Sequence, residues 1–234
     1  PGYGSAARYW ANLIQNVNEE NRGMNVSECV SVLQAMGRKS GFITAASRLG
    51  DLNREMPLQL YMAETNNNLE SLAENVNNQL KKTGRCIVVV NEGFNVGDIG
   101  EAYDGFGHIE YGASKMSAAQ AVVNYLNEVG LAARGQVTGQ VPGVLQRSVS
   151  IHASKVDIDE AYEVGRKAVD IAVNEGTGWM ATILRAPGST YKAIFDKVPL
   201  EKVANSVRYM PSSWIADNGI DVTDDFINYA KPLI

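Results

Sequence analysis

The sequence has little cysteine and histidine, with two residues of each in a chain of 234. His108 and His152 lie far in sequence from Cys29 and Cys86, so no zinc-ligand spacing is present and the chain offers no metal site of its own. Both cysteines sit in apolar, strand-like runs. This pattern predicts buried, reduced thiols and a reducing compartment, which we take to be the cytoplasm.

Long apolar runs and clusters of basic residues are also missing. No apolar stretch approaches the roughly 20 residues that span a bilayer, so no membrane partner is expected. The net charge is −5, from 21 basic and 26 acidic residues, and no basic stripe is visible. A nucleic-acid partner is therefore not expected either. Because the chain begins with Pro1 and not with Met, we expect a fragment or a processed chain.

Short apolar runs alternate with amphipathic segments of about 15 residues, a pattern typical of strands alternating with helices. The run Cys86–Val90 is apolar throughout, as in a strand buried on both faces of a parallel sheet. The fold class predicted is α/β, with a doubly wound, mainly parallel sheet flanked by helices. The predicted strands are 28–34, 58–62, 86–90, 131–138 and 179–184. The predicted helices are 4–18, 42–50, 68–82, 114–128, 157–174 and 221–229, with a polar loop at 18–25.

Ligands of such sheets bind beyond the carboxyl ends of the strands, which selects the loops 35–41, 91–93 and 142–148. Arg38 and Lys39 lie between two glycines just before a helix, where backbone amides and an arginine can hold a phosphate. The alternative is a solvated basic pair in a turn. Glu92 either accepts hydrogen bonds from sugar hydroxyls or caps the next segment, and Arg147 is either a phosphate ligand or a surface residue.

The three loops together resemble the phosphofructokinase family. AMGRKSGFITAAS is similar to the family's MGR-x-x-G signature, VVVNEG to its apolar strand ending in a sugar-binding Glu, and PGVLQRS to its P-G-x-L-Q-R-S loop. They occur in the family's order and at about its spacing. The resemblance continues through IHASKVDIDEAYEVGRKAV and GWMATI. The opening PGYGSAARYW resembles the segment after the family's catalytic T-I-D-N-D motif, so the likeness covers most of residues 1–185.

The resemblance implies a three-layer, phosphofructokinase-like fold and a role for each loop. Met36, Gly37 and Arg38 would bind fructose 6-phosphate, and Arg38 would also act catalytically by stabilising the phosphoryl group in transit. Glu92 would bind sugar hydroxyls. Arg147, with the turn at Val144, would hold the 6-phosphate. Mg²⁺ together with pyrophosphate or ATP would complete the site.

Other implications concern what this chain does not contain. The family's phosphate-donor loops and its general-base Asp would precede Pro1, so residues 1–234 would form one C-terminal, sugar-phosphate-binding portion. Cys29 and Thr138 stand where the bacterial ATP-dependent relatives have two arginines that reach the sugar phosphate of a neighbouring subunit. After a small loop shift, Arg134 would substitute for one of these arginines. Val144 stands where those relatives have His.

The function implied is a 6-phosphofructokinase of glycolysis, which converts fructose 6-phosphate to fructose 1,6-bisphosphate. P-G-x-L-Q-R-S and V-D-x-x-E-A-Y look more like the pyrophosphate-dependent branch than the ATP-dependent one. The enzyme would be a homo-oligomer, a dimer or a tetramer, or would take its N-terminal half from a partner chain. The alternatives are a non-catalytic, sugar-phosphate-binding or regulatory subunit and an unrelated α/β binding domain.

Overall fold

The core of the molecule is a sheet of four parallel strands, described by a computed structural model that covers residues 1–98, 100–105, 107–204 and 206–234. The strands are β1 (Val30–Ala35), β2 (Leu58–Tyr61), β3 (Cys86–Asn91) and β4 (Val137–Gln140). Their order is β2-β3-β1-β4, and every neighbouring pair is parallel. The predicted doubly wound, parallel architecture is confirmed.

Helices cover both faces of this sheet and give three layers. Helices α1 (Tyr3–Met24), α2 (Phe42–Ala46) and α6 (Asp224–Ala230) pack on one face, and α3 (Leu69–Thr83) and α4 (Ala118–Val129) on the other. Successive strand residues alternate between the two apolar cores, since Leu33 and Val89 face α1 whereas Val32 and Val88 face α3 and α4. Both faces of β1 and β3 are therefore buried, which explains the continuous apolar run Cys86–Val90 of β3, while the polar Ser31 and Gln34 of β1 are buried as well.

The ends of α3 and α4 follow from their capping residues. Asn68 and Ser71 form a reciprocal capping box at the start of α3, and Gly84 ends it in the left-handed conformation with φ 73°. Helix α4 begins at Ala118, because the Ser117 hydroxyl accepts a hydrogen bond from the amide of Gln120 at 3.1 Å. The predicted start at 114 was thus one turn too early. Strand β4 begins six residues after the start of the predicted strand 131–138 and ends two residues beyond it.

The predicted loop at 18–25 was wrong, because α1 continues through Met24. Its polar residues make tertiary bonds and do not mark a solvated loop. Asn21 is buried and donates to the Ser31 hydroxyl at 3.3 Å. Arg85, just before β3, donates to the side-chain oxygens of Asn18 at 2.8 Å and of Asn21 at 3.2 Å.

A second unit consists of α5 (Lys155–Asn174) and an antiparallel pair, β5 (Trp179–Arg185) and β6 (Ala193–Pro199). The prediction of a strand at 179–184 is confirmed, but this strand does not join the parallel sheet. The side chain of Ser154 caps α5, so the helix starts two residues before the predicted Asp157. In the part of the chain that the structure describes, no helix is long and apolar enough to cross a membrane.

Candidate functional site

The three loops selected from the sequence meet at one edge of the parallel sheet. Strands β3, β1 and β4 are neighbours, with Ala35 paired to Asn91 and Leu33 paired to Gln140. Their carboxyl ends therefore lie side by side, and the segments 36–41, 92–93 and 141–147 start from adjacent points. This is the position where open α/β sheets bind ligands.

The loop after β1 is held in an uncommon backbone conformation by Glu92. Gly37 has φ +142° and Arg38 has φ +51°, which is sparsely populated for a residue with a side chain. Two successive amides, those of Gly37 and Arg38, donate to the same Glu92 oxygen at 3.0 and 2.8 Å. Successive amides of this kind form an anion-binding concavity, and here the anion is the Glu92 carboxylate.

Asn91 and Gly93 lock the same loop from the side of β3. The buried Asn91 amide donates to the Ser40 carbonyl at 3.0 Å, and its oxygen accepts from the Gly93 amide at 2.7 Å. A Cβ atom on Gly93 would lie 2.1 Å from the Arg38 carbonyl oxygen, so the close approach of the two loops requires glycine. The two loops thus behave as one rigid unit.

The amide at the start of α2, proposed from the sequence as part of an anion site, faces a carboxylate of the protein. The Gly41 amide donates to Glu64 Oε1 at 3.0 Å, and Glu64 follows the end of β2. Since Glu92 and Glu64 accept from the Gly37, Arg38 and Gly41 amides, exposed side chains are left to bind an anionic ligand at these points of the loop. Arg38 is such a side chain, with 57% of its surface exposed.

Gln146 joins the third loop to the first. It is buried, and its side-chain oxygen accepts from the Met36 amide and from Trp10 Nε1, each at 2.9 Å. Gln146 lies in a 3₁₀ turn over Gly143–Arg147, which leaves Val144 and Arg147 exposed on either side. The loop that carries Arg147 is therefore bonded directly to the backbone of the loop that carries Arg38.

Arg38 lines a cleft of about 740 Å³ together with Lys39, Tyr103, His108 and Tyr111. Asp104 lies 3.5 Å from the Arg38 guanidinium and 3.4 Å from His108 Nδ1, so it orients both cations when His108 is protonated. Burial raises the pKa of Tyr111, the Glu92 and Glu101 carboxylates raise it further, and Arg38 opposes them. The Tyr111 phenol therefore stays a hydrogen-bond donor at neutral pH.

Arg147 lines a separate hollow of about 100 Å³, beside Pro1, Ser5 and Tyr9. Within the described residues, no carboxylate lies within 4.0 Å of its guanidinium. The structure thus brings Arg38 and Arg147 to the same sheet edge, but into two separate cavities that share no lining residue. Val144 is 61% exposed and lines neither of the two.

Cys29 and Thr138 lie at the amino end of the sheet, opposite the site. Cys29 directly precedes β1, and Thr138 pairs in register with Ser31. Cys29 is fully buried, and burial raises the pKa of its thiol, as it does for Cys86. The prediction of buried, unpaired thiols is confirmed. The second histidine, His152, packs edge-on against Tyr9 with ring centroids 5.7 Å apart.

The sequence does not single out Gln146, Asn91, Glu64 or Asp104. Asn91 and Gln146 each adjoin a residue that was selected. For Asn91 the available signal was a polar side chain at the end of a buried strand. Glu64 and Asp104 become recognisable only when tertiary structure places them beside the loop at 36–41. Among the described residues, no group of three or more His, Cys, Asp and Glu side chains is arranged to hold a metal ion.

Comparison with known proteins gives a consistent set of relatives. Residues 1–172 match the family model described as phosphofructokinase. The whole chain is 36% identical to a pyrophosphate–fructose 6-phosphate 1-phosphotransferase of Rhodospirillum rubrum and 31% identical to one of Halomonas elongata, covering 58% and 56% of their lengths. A crystal structure of a pyrophosphate-dependent phosphofructokinase from Marinobacter aquaeolei superposes on the whole chain with a TM-score of 0.81 at 30% identity, over 55% of that protein.

The chain thus spans little more than half the length of the curated relatives it matches. The family match covers nearly three quarters of its residues, and it includes the segments 36–41, 92–93 and 141–147. Fold, sheet edge and loop sequences all agree with that match. The chain belongs to the phosphofructokinase family.

Proposed function

We propose that this chain is the sugar-phosphate-binding part of a pyrophosphate-dependent phosphotransferase that converts fructose 6-phosphate to fructose 1,6-bisphosphate. One observation carries the proposal. The loops with Arg38, Glu92 and Arg147 are bonded to one another at the ligand-binding edge of a parallel sheet. The relatives named for this reaction support it, because they match the chain from end to end.

Each loop has a distinct task in this proposal. Arg38 binds fructose 6-phosphate and also places paired N–H donors beside the phosphoryl group in transit. Met36 and Gly37 shape the backbone next to the sugar phosphate. Glu92 uses one oxygen to hold the loop, which leaves the other oxygen for sugar hydroxyls. Arg147, presented with Val144 by the 3₁₀ turn, binds the 6-phosphate.

The reaction itself is an in-line phosphoryl transfer. The C1 hydroxyl oxygen of the sugar forms a bond to the terminal phosphorus of pyrophosphate, and the bridging P–O bond breaks to release phosphate. The hydroxyl proton passes to a carboxylate base. We assign this base to a segment that precedes residues 1–234. Carboxylates of the same segment would hold the Mg²⁺ that accompanies pyrophosphate, because Mg²⁺ is usually held by one or two carboxylates plus substrate phosphates. We place the reaction in the cytoplasm.

The surface of α5 and the β5–β6 pair supports the proposal of a preceding segment. Within α5 only Ile171 is buried, and a two-stranded sheet alone is marginal in water. Large apolar side chains are exposed on both elements: Ile158, Tyr162, Val169 and Val173 on α5, and Trp179, Met180, Ile183 and Leu184 on β5. Such a patch is typical of an interface. We assign it to the part of the relatives' length that the chain does not cover.

The oligomer is part of the same proposal. Cys29 and Thr138 replace the two arginines that the family resemblance assigns to a neighbouring subunit's sugar phosphate, and a fully buried Cys29 reaches no such site. In a dimer or tetramer of this protein, we assign their role to Arg134, which is exposed and lies three residues before β4.

The decisive test uses the gene product that carries these residues. Purified protein is incubated with fructose 6-phosphate and Mg²⁺, with pyrophosphate or ATP as donor, and fructose 1,6-bisphosphate is measured. The proposal expects turnover with pyrophosphate well above that with ATP. Turnover with ATP alone would contradict the choice of donor. Tight sugar-phosphate binding with no turnover on either donor would favour the non-catalytic subunit.

A further inference from the structure

The segment 206–208 forms part of the wall of the cleft that contains Arg38, although nothing in its sequence suggested a site. Arg208, Ser206 and Val207 line this cleft of about 740 Å³ together with Arg38 and Lys39. Residues more than 160 positions apart in sequence therefore enclose one space, and three of the side chains around it are cationic.

The backbone at Arg208 is fixed against the loop that carries Arg38. The Ser40 hydroxyl donates to the Arg208 carbonyl at 3.1 Å. Glu64 Oε1 accepts from the Gly41 amide at 3.0 Å and from the Met210 amide at 2.9 Å, so a single carboxylate binds both segments. Met210 is 4% exposed and anchored in the apolar core. The position of Arg208 beside the cleft is thus built into the fold.

The guanidinium of Arg208 lies 5.8 Å from the centre of the Phe42 ring, near the outer limit of a cation–π contact. Among the described residues, no carboxylate lies within 4.0 Å of it, whereas Arg38 is held by Asp104. Because Glu92 and Glu64 already accept from the Gly37, Arg38 and Gly41 amides, we expect a phosphate in the cleft to be bound mainly by side-chain donors. Arginine offers paired donors that match phosphate oxygens.

We propose that Arg208 is a further phosphate-binding residue of this site, which contacts a phosphoryl oxygen of bound fructose 6-phosphate or of pyrophosphate. The proposal rests on the proposed function and extends it to a residue outside the three loops. Three cations, Arg38, Lys39 and Arg208, then offset the charge of about −2 that a phosphate group carries at neutral pH.

A structural role is the competing explanation. Arg208 also lines a second cavity of about 340 Å³, with Asp157 and Glu160 among its other walls. In the longer protein it could pair with a carboxylate there and only stabilise the fold. A structural role predicts a lower melting temperature with unchanged substrate KM, whereas phosphate binding predicts a change in KM.

The experiment compares Arg208→Met, Arg208→Lys and the control Arg22→Met in the gene product that carries this chain. Arg22 is also exposed, and among the described residues its ion-pair partner is Glu19 on its own helix, at 3.7 Å. We expect Arg208→Met to raise KM roughly 10- to 100-fold, the effect of losing charge-assisted hydrogen bonds, and Arg208→Lys to recover part of it. If only the KM for fructose 6-phosphate increases, Arg208 contacts the phosphate of the sugar. If only the KM for pyrophosphate increases, Arg208 contacts the phosphate donor.

Unchanged KM values for both substrates would overturn the inference, whatever happens to the melting temperature. If the unmodified protein turns over neither donor, the proposed function fails separately. Thermal protection by fructose 6-phosphate and by pyrophosphate then decides the inference. Protection that is lost in Arg208→Met and kept in Arg22→Met supports it, and equal or absent protection in both refutes it.

Discussion

Replacing Glu92 by Gln tests how the loop at 36–41 is held. The Glu92 carboxylate accepts two backbone hydrogen bonds, from Gly37 at 3.0 Å and from Arg38 at 2.8 Å. Glu92 itself is 9% exposed. Gln keeps the shape but removes the charge. A hydrogen bond to a charged group stabilises by about 1.5–3 kcal/mol and a neutral one by about 0.5–1.5, so the loss is about 1–1.5 kcal/mol for each bond. Two bonds give about 2–3 kcal/mol, which is roughly a 30- to 150-fold shift in a local equilibrium.

Amide hydrogen exchange measures this shift directly. In Glu92→Gln, exchange at Gly37 and Arg38 should accelerate by roughly 30- to 150-fold, because Arg38 leaves its φ of +51° once the anion is gone. Exchange in β3 should stay unchanged. Glu101→Gln is the matched control, since Glu101 accepts from the Tyr103 hydroxyl and from no amide of this loop. Equal exchange in wild type and Glu92→Gln would refute the claim that the carboxylate holds the loop.

Three further outcomes follow from the buried groups. Arg48→Ala should lower the free energy of unfolding by about 3–5 kcal/mol in urea titrations, because it leaves Asp51, 2.6 Å from the guanidinium, buried without its cation; a loss below 1 kcal/mol would contradict this. A thiol reagent should label neither Cys29 nor Cys86 in the folded chain and both after unfolding, and rapid native labelling would contradict their burial. Burial, and then the charge of Cys29, raise the pKa of Cys86 above its ordinary value of 9.0, and burial raises the pKa of Tyr61 above 10.0. The contribution of these groups to the free energy of unfolding is therefore complete below about pH 9 and falls as the pH rises further. A free energy of unfolding that stays constant between about pH 9 and 11 would contradict this.

The sequence predicts the parallel sheet because apolar runs and glycines report directly on burial and on chain reversal. Cys86–Asn91 is buried on both faces, which leaves a continuous apolar signal through Val90, whereas the equally buried Val30–Ala35 includes the polar residues Ser31 and Gln34. The candidate loops follow from the same signal, since parallel strands place their carboxyl ends at one edge. The residue pairs that hold these loops together are not predicted, because Gln146 with Met36 and Glu92 with Gly37 meet only through tertiary structure.

The errors have a common physical origin. Asn18 and Asn21 suggested a solvated loop, but their side chains bind Arg85, and Asn21 is buried within the last turns of α1. The strand at Trp179–Arg185 has the composition of a sheet strand, yet it pairs with β6 alone in the described chain. Local polarity and composition show that a residue has partners or belongs to a strand, and they do not show which partners or which sheet.

The most direct test of the central claim is a double-mutant cycle on fructose 6-phosphate binding. Calorimetry compares the protein that carries this chain with its Arg38→Met, Arg147→Met and doubly substituted forms. The account predicts that each single change weakens binding by at least about tenfold, and that the double variant departs from additivity because both side chains hold one ligand. Unchanged binding in either single variant would contradict the claim that the two loops form one sugar-phosphate site.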